Sequence, residues 1–233
     1  MRLLIVFSVP EEILIPWNYL DWLRGLIYSL LRSQSSDFAQ WLHQEGTTAD
    51  NKRYKPFTFS LLYPANKKTT KKGLLIKGEV NWFISSPIPL ICQLLADELL
   101  HSSPRLGPYK LEVLKVASFK TPPLASPSHF NTLSPISIST GIKDGDKLRK
   151  IFVSPEEDIF PKLLKENLLN KAEALWLPKG EIEIEAKPPF RSRLFKIRGI
   201  DVRGWDMQLT LRGDEHLIRL AYEVGLGEHN ACG

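Results

Sequence analysis

Cysteine is scarce in this chain of 233 residues, and Cys92 and Cys232 are too few for a disulfide framework or a four-cysteine metal site. Such usage is typical of a reducing compartment, so we expect the protein in the cytoplasm. The N-terminal apolar run is too short for a secretory core or a membrane span, and it ends at Pro10 and two glutamates. It predicts a buried first strand and no membrane partner.

Patterns for metal and nucleotide chemistry are also missing. The five histidines, at positions 43, 101, 129, 216 and 229, show no paired spacing, and the chain has no Walker loop and no nucleophile elbow. We therefore expect neither a metal site nor a cofactor. What the chain does have is the composition of a folded protein, 43% hydrophobic, with a net charge of +5 that mildly favours a polyanionic partner.

Extended and helical patterns alternate through the first 118 residues or so. The patterns predict a strand over 2–9, a helix from Pro16, a short helix capped by Ser36, a helix over 87–103 and a strand over 109–119. Two strands, 54–63 and 74–85, are predicted to form a hairpin around the lysine-rich turn NKKTTKKG, whose charges are most simply solvated. This order of strands and helices is ferredoxin-like.

A second, less regular set of elements follows a linker rich in proline, serine and threonine. After KTPPLASPSHFNT come a strand LSPISIS, a helix over 155–176, a strand EIEIEAK and the segments GWDMQLTLRG and LIRLAYEVGLG, the last taken as a strand. The sequence therefore predicts an α+β protein of two tandem ferredoxin-like (RRM-like) domains with a cleft between them. The predicted domains are residues 1–120 and 131–233.

Two residues near the helix ends are candidates for chemistry, each with a plain structural alternative. Tyr28 lies at the margin of the apolar stripe of the first long helix, where a tyrosine is usually a packed amphipathic side chain. His43 follows the short helix and points away from Phe38, Trp41 and Leu42, where a histidine is usually a cap or a surface residue. Pattern alone does not decide either case.

Two further segments suit a phosphate-rich ligand. EAKPPFRSRLFKIRGIDVRGW interleaves aromatic residues with cations that could neutralise phosphates, although a solvated hairpin explains it equally well: Lys187, Arg191, Arg193, Lys196 and Arg198. Phe195 of this segment fits either base stacking or the core. At the C-terminus, Gly225, Gly227 and Gly233 permit positive φ and a close approach of the backbone to a phosphate chain.

The glycine-rich ending resembles the signature of the CRISPR-repeat-processing endoribonucleases of the repeat-associated mysterious protein superfamily. The segments LRGLIYSLL, FAQWLHQEG, KPFTFSLL, FNTLSPISIS and YEVGLGEHNACG match that family in order and approximate spacing, over nearly the whole chain. The resemblance implies two ferredoxin-like domains and cleavage of precursor CRISPR RNA within each repeat by a metal-independent reaction. It also implies a catalytic tyrosine, histidine and lysine in the first domain.

Carried over residue by residue, the tyrosine falls on Tyr28, the histidine on His43 and the lysine on Lys55, with Lys52 as the competing lysine. A histidine can transfer a proton near neutral pH, and a lysine can stabilise charge on a phosphate. Tyr28 would orient the 2′-hydroxyl first, since a phenol needs its pKa lowered before it is a good base.

Three readings remain open from the sequence. The first is the metal-independent endoribonuclease, the second is a relative that binds the repeat without cutting it, and the third is an unrelated RRM-like module, disfavoured because no RNP1 pattern is present. The family signature normally continues past Gly233 with Phe-Gly and one more strand, so either the sequence is truncated there or the second domain lacks its last strand. The repeat sequence, a homodimer and association with effector-complex subunits are left open.

Overall fold

The computed structural model describes residues 1–49, 52–144 and 147–232. The chain forms two halves, each built on one of the two larger sheets, and residues 120–127 join them. Gly233, which we placed in the glycine signature, lies outside the described residues.

The first half contains the following elements: β1 Arg2–Pro16, α1 Tyr19–Gln34, α2 Ser36–Gln44, β2 Thr47–Ala49, β3 Lys52–Tyr54, β4 Thr58–Phe59, β5 Tyr63–Thr69, β6 Gly73–Ser85, α3 Pro89–His101, β7 Arg105–Leu106, β8 Tyr109–Lys110 and β9 Glu112–Phe119. Its antiparallel sheet has the order β4-β6-β1-β9, with β5 also pairing to β6. This is the ferredoxin-like order, with α1 and α3 as the two crossover helices. The prediction of an α+β protein with tandem ferredoxin-like halves is confirmed.

The core of the first half lies between this sheet and its helices. Leu3, Ile5 and Phe7 alternate along β1 toward the helices, and Leu23 and Ile27 face them from α1 at helical spacing. Because Tyr28 comes one residue after the most buried position of α1, its ring reaches the edge of this core.

The second half contains these elements: β10 Ser128–Asn131, β11 Ser139–Asp144, β12 Lys147–Phe152, α4 Phe160–Ala174, β13 Ile182–Ile197, β14 Ile200–Gly213, α5 Glu215–Val224 and a 3₁₀ turn, η1, at Asn230–Cys232. The sheet has the order β10-β14-β13, which corresponds to the first, third and second strands of a ferredoxin-like unit. In the described residues that follow α5 there is no further strand. The proposed domain limits, 1–120 and 131–233, stay a prediction.

The strand predicted over 54–63 is wrong, because residues 55–57 and 60–62 interrupt it. The Ser60 hydroxyl accepts a hydrogen bond from the Phe83 N–H at 3.0 Å, whereas in a regular strand a backbone carbonyl would accept it. The run therefore splits into β4 and β5, and β5 carries Lys67 and Lys68 beyond the predicted strand into what we took for a turn. The true turn is 70–72, where the Thr70 hydroxyl accepts from the N–H groups of Lys72 and Gly73.

Three other assignments in the prediction are corrected. The segment before the glycines is the helix α5, since Leu217, Ala221 and Val224 are buried at helical spacing. The predicted strand LSPISIS makes only isolated bridges at 136 and 137 before β11 begins. The cap of α2 is Ser35, whose hydroxyl accepts from the Phe38 N–H, and not Ser36. In addition, β10 lies inside the predicted linker and pairs with β14.

Candidate active site

Tyr28 and His43 lie in contact, brought together by the packing of α1 on α2. Tyr28 is only 8% exposed, and its ring meets the His43 ring edge to face, with centroids 5.0 Å apart and planes at 84°. Phe57 packs on the other side of Tyr28 at 6.1 Å. His43 itself is exposed in the last turn of α2, so the pair consists of a buried phenol and a solvent-facing imidazole.

Lys55 joins this pair through the backbone of α2. Its Nζ donates to the His43 carbonyl oxygen at 2.8 Å, and the neighbouring Arg53 donates to the Gln44 carbonyl at 2.9 Å. The two cations thus satisfy carbonyls at the C-terminus of a helix, a favourable place for positive charge without any substrate. Partial burial lowers the pKa of Lys55, the charges of Arg53 and Arg198 lower it further, and Glu45 opposes them.

Glycine is required at position 46, directly after α2. Gly46 has φ +62°, and a Cβ there would lie 2.4 Å from the Tyr54 carbonyl and 3.1 Å from the Lys55 side chain. Because residue 46 is a glycine, the segment that carries Tyr54 and Lys55 can lie close to the end of α2, and Lys55 can reach the His43 carbonyl. Lys52, the competing lysine, is exposed at the start of β3, where it pairs with Ala49.

The glycine-rich loop is held by a buried lysine that the sequence did not reveal. Lys171 of α4 is 4% exposed, and its Nζ donates to the carbonyls of Gly225 at 2.9 Å and Gly227 at 2.7 Å and to the Asn230 side chain. Burial lowers the pKa of Lys171 to about 7, against the nearby charge of Glu228. A lysine within a helical pattern reads as a surface residue, so no signal in the sequence indicated this role.

Contacts within the protein explain the two glycines of this loop. A Cβ on Gly227, which has φ +77°, would lie 2.4 Å from the Ser137 carbonyl, and one on Gly225, with φ +76°, would lie 2.7 Å from the Asn230 amide nitrogen. Both positions therefore require glycine for packing alone. Their contact with RNA stays a prediction.

His229 in the same loop is a titratable group that the histidine spacing did not single out. It adopts φ +61° and is half-buried. Burial lowers its pKa first, the charges of Lys150 and Arg198 lower it further, and Glu228 opposes them. Arg198 therefore acts electrostatically on a residue of each half, Lys55 and His229.

The predicted basic segment is the β13–β14 hairpin, and its cations differ in their partners. Lys187 lies 3.5 Å from Glu185, Arg193 pairs with Asp206, and Lys196 lies 4.0 Å from Asp201. Arg191 and the Arg198 side chain are exposed and have no ion-pair partner among the described residues. Phe195 packs against the core of the first half.

A groove of about 850 Å³ runs between this hairpin and the first half. Arg191 and Arg193 line one side, and Lys67 lies on the other with two exposed aromatic residues, Trp17 and Tyr63. Tyr63 is fixed across the halves, since its hydroxyl donates to the Leu133 carbonyl at 2.7 Å. The groove therefore combines positive charge with flat rings.

The described residues hold neither a cluster of metal ligands nor a helix that could span a membrane. In the part of the chain that the structure describes, no three or more histidine, cysteine, aspartate or glutamate side chains are grouped to hold a metal ion. No described helix is long and apolar enough to cross a membrane.

Tandem ferredoxin-like halves and a glycine-rich loop after the last α-helix are the features that the chain shares with the repeat-associated mysterious protein superfamily. Residues 14–116 match the family model "CRISPR-associated protein Cas6, N-terminal", and residues 119–233 match "CRISPR associated protein Cas6, C-terminal". The chain belongs to the Cas6 family.

The chain is similar over its whole length to two curated proteins and to one solved structure. The chain is 31% identical over 241 residues to the CRISPR-associated endoribonuclease Cas6 1 of Methanocaldococcus jannaschii, covering 100% of this chain and 90% of that protein. It is 31% identical over 247 residues to the CRISPR-associated endoribonuclease Cas6 of Pyrococcus furiosus, covering 100% and 88%. A solved "CRISPR associated protein Cas6" superposes with a TM-score of 0.82 at 30% identity, covering 100% of this chain and 96% of that one. The chain is thus a homologue of Cas6 endoribonucleases.

Proposed function

We propose that this protein binds CRISPR repeat RNA and cleaves precursor CRISPR RNA within the repeats without a metal ion. Two contacts carry the proposal, that of Tyr28 with the His43 ring and that of Lys55 with the His43 carbonyl, because α1, α2 and the segment after β3 bring together the residue types that such a cleavage needs. The 2′-hydroxyl loses its proton as its oxygen attacks the adjacent phosphorus, and the 5′-oxygen takes up a proton as its bond to that phosphorus breaks. The products are a 2′,3′-cyclic phosphate and a 5′-hydroxyl.

Each of the three residues has a role that its surroundings support. His43 is exposed and transfers a proton in the reaction, since an imidazole can both accept and donate one. Tyr28 is held by ring packing on two sides, so it orients the 2′-hydroxyl beside His43. Lys55 uses one N–H on the His43 carbonyl and has others left to stabilise the charge that develops on the phosphate oxygens.

RNA binding is proposed for the groove between the halves and for the hairpin beside it. The groove is about 850 Å³, and its cations and exposed rings suit a chain of phosphates and bases. In this proposal Arg191 contacts a phosphate, while Trp17 and Tyr63 stack on bases. Lys52, Lys187, Arg193, Lys196 and Arg198 remain proposed RNA contacts, as do Gly225 and Gly227.

The test is incubation with the cognate repeat RNA in EDTA, followed by analysis of the ends. We expect cleavage at one position in each repeat, at a rate unchanged by EDTA, with 2′,3′-cyclic phosphate and 5′-hydroxyl ends. A rate restored only by added divalent ions would refute the metal-free mechanism. Ends carrying a 5′-phosphate would refute the 2′-hydroxyl attack.

A second candidate function is binding of the repeat without cleavage. The observation that favours it is the capping of α2 by Lys55 and Arg53, a role that needs no substrate. Tight binding of the repeat with no product after long incubation would select this candidate.

A further inference from the structure

The tip of the β13–β14 hairpin, in the second half, lies on α1 of the first half. Arg198 and Gly199 form the two-residue turn, with φ +50° and +78°, as a tight hairpin turn requires. The Arg198 N–H donates to both carboxylate oxygens of Asp21, at 3.1 and 3.4 Å. Asp21 also pairs with Arg24 at 3.0 Å, which fixes the carboxylate that holds the tip.

This anchor lies on the face of α1 that carries Tyr28. Asp21, Arg24 and Tyr28 follow one another at spacings of three and four residues, so the anchor is about 10.5 Å along the helix from Tyr28. The electrostatic effect of Arg198 on Lys55 agrees with this placement. The guanidinium itself is exposed and has no hydrogen-bond or ion-pair partner among the described residues.

We propose that Arg198 is a further phosphate-binding residue of the cleavage site, and that Asp21 is the positioning residue that holds it there. The inference rests on the proposed function and adds a contribution from the second half to it. A guanidinium binds two oxygens of a phosphate at once, which the ammonium of Lys55 cannot do. Lys55 and Arg198 would then approach the reacting phosphate from opposite halves, and the site would be complete only with the hairpin tip docked.

Lys196, in the same hairpin, does not fit this role as well. It lies within 4.0 Å of Asp201 on the facing strand, so its charge is already balanced within the hairpin. Arg212 offers a matched control, because it is an arginine at the far end of β14 that pairs with Glu185 at 3.0 Å.

The first arm of the test uses the RNA-free protein. NMR titration of the lysine side chains should give a higher pKa for Lys55 in Arg198→Ala than in the wild type, because a nearby positive charge is removed. Arg53 and Glu45, the other charges that act on Lys55, are unchanged in this variant. Arg212→Ala should leave the pKa of Lys55 where it is. An unchanged pKa in Arg198→Ala would overturn the placement.

The second arm measures single-turnover cleavage with saturating enzyme. Arg198→Ala should slow the reaction about 10²-fold, as loss of one charge-stabilising donor does, and Arg198→Lys should recover part of the rate. Asp21→Ala alone should also lower the cleavage rate. In the Arg198→Ala background it should lower the rate no further, since Asp21 acts on cleavage by placing the Arg198 side chain. Additive losses, or an Arg198→Ala protein that cuts at the wild-type rate, would overturn the inference. If the wild type binds but never cuts, the proposed function fails, and the NMR arm alone still decides where Arg198 lies.

Discussion

At the scale of single residues, the contact between Tyr28 and His43 joins two groups with opposite access to solvent. Tyr28 is buried at the edge of the core between His43 and Phe57, so its position is set by folding. His43 is exposed and can meet a substrate. The buried ring of Tyr28 therefore limits the orientations of the exposed imidazole, which is what a proton-transfer group requires.

His43→Ala should slow cleavage by a factor of about 10² to 10⁴ and leave binding of the repeat intact, because proton transfer is lost while the RNA contacts remain. The measurement is a single-turnover rate together with a binding isotherm for the same RNA. His101→Ala is the control, since His101 lies in the last turn of α3 with Nδ1 bound to the Asp97 carbonyl. Wild-type cleavage by His43→Ala would remove His43 from the mechanism.

Lys55→Ala should slow cleavage more than Lys52→Ala, because Lys55, unlike Lys52, donates a hydrogen bond to the His43 carbonyl. Because the pKa of Lys55 is lowered from 10.5, Lys55 loses its proton at a lower pH than a free lysine does. The cleavage rate should therefore begin to fall at a lower alkaline pH than it would with an unperturbed lysine. Lys55→Arg should move that fall to higher pH, since arginine stays protonated. Equal losses in the Lys52 and Lys55 variants would leave the assignment of the lysine without support.

At the scale of elements, the sequence predicts the helices better than the strands. The apolar spacing of α1 and α3 is regular, and their existence and approximate limits were predicted correctly. The strand over 54–63 failed because the Ser60 side chain replaces a backbone partner, which no periodicity reveals. The segment before the glycines was taken as a strand although the spacing of Leu217, Ala221 and Val224 is helical, so that error lay in the interpretation.

The link between α4 and the glycine-rich loop depends on Lys171 and should respond to pH. With a pKa of about 7 in the fold and 10.5 as its ordinary value, Lys171 binds fewer protons in the folded state than in the unfolded state between those limits. Its contribution to stability must therefore rise with pH from about 7 to 10.5 and fall as the pH is lowered through that range.

Lys171→Met removes this titration and leaves the carbonyls of Gly225 and Gly227 without their donor, at a cost of about 1–3 kcal/mol for each unsatisfied group. In denaturant titrations, the stability of the wild type relative to Lys171→Met should increase between pH 7 and pH 10. Lys165→Met on the same helix, where Lys165 pairs with Glu181 near the surface, should show no such increase. A stability difference that is flat with pH would mean that Lys171 is not titrating in this range.

At the scale of the whole molecule, the two halves meet through contacts between residues far apart in the sequence. Asp21 meets Arg198 across 177 positions, and the N-terminal ammonium of Met1 pairs with the buried Glu223 of α5 at 2.8 Å. Resemblance to a family and residue chemistry could indicate Tyr28, His43 and Lys55 from the sequence. Asp21 could not be indicated in this way, because its role exists only once the halves are packed together. Lys171 could not either, because its role exists only once α4 packs on the glycine-rich loop of the same half.

The groove between the halves leads to a prediction on the salt dependence of RNA binding. Arg191 and Arg193 both line the groove, but Arg193 is paired with Asp206 whereas Arg191 has no ion-pair partner among the described residues. Arg191 therefore releases a bound counterion from RNA at little cost, while Arg193 must first loosen its carboxylate. Arg191→Ala should weaken binding to any repeat variant and reduce the slope of log K against log salt by about 0.7 to 1. Arg193→Ala should reduce it by less, and Arg212→Ala, which removes an arginine paired with Glu185 outside the groove, should leave the slope unchanged.

The measurement is a set of binding isotherms from low to physiological salt with a single-stranded repeat and a scrambled RNA of equal length. A slope that is the same in the wild type and in Arg191→Ala would mean that RNA does not follow this groove.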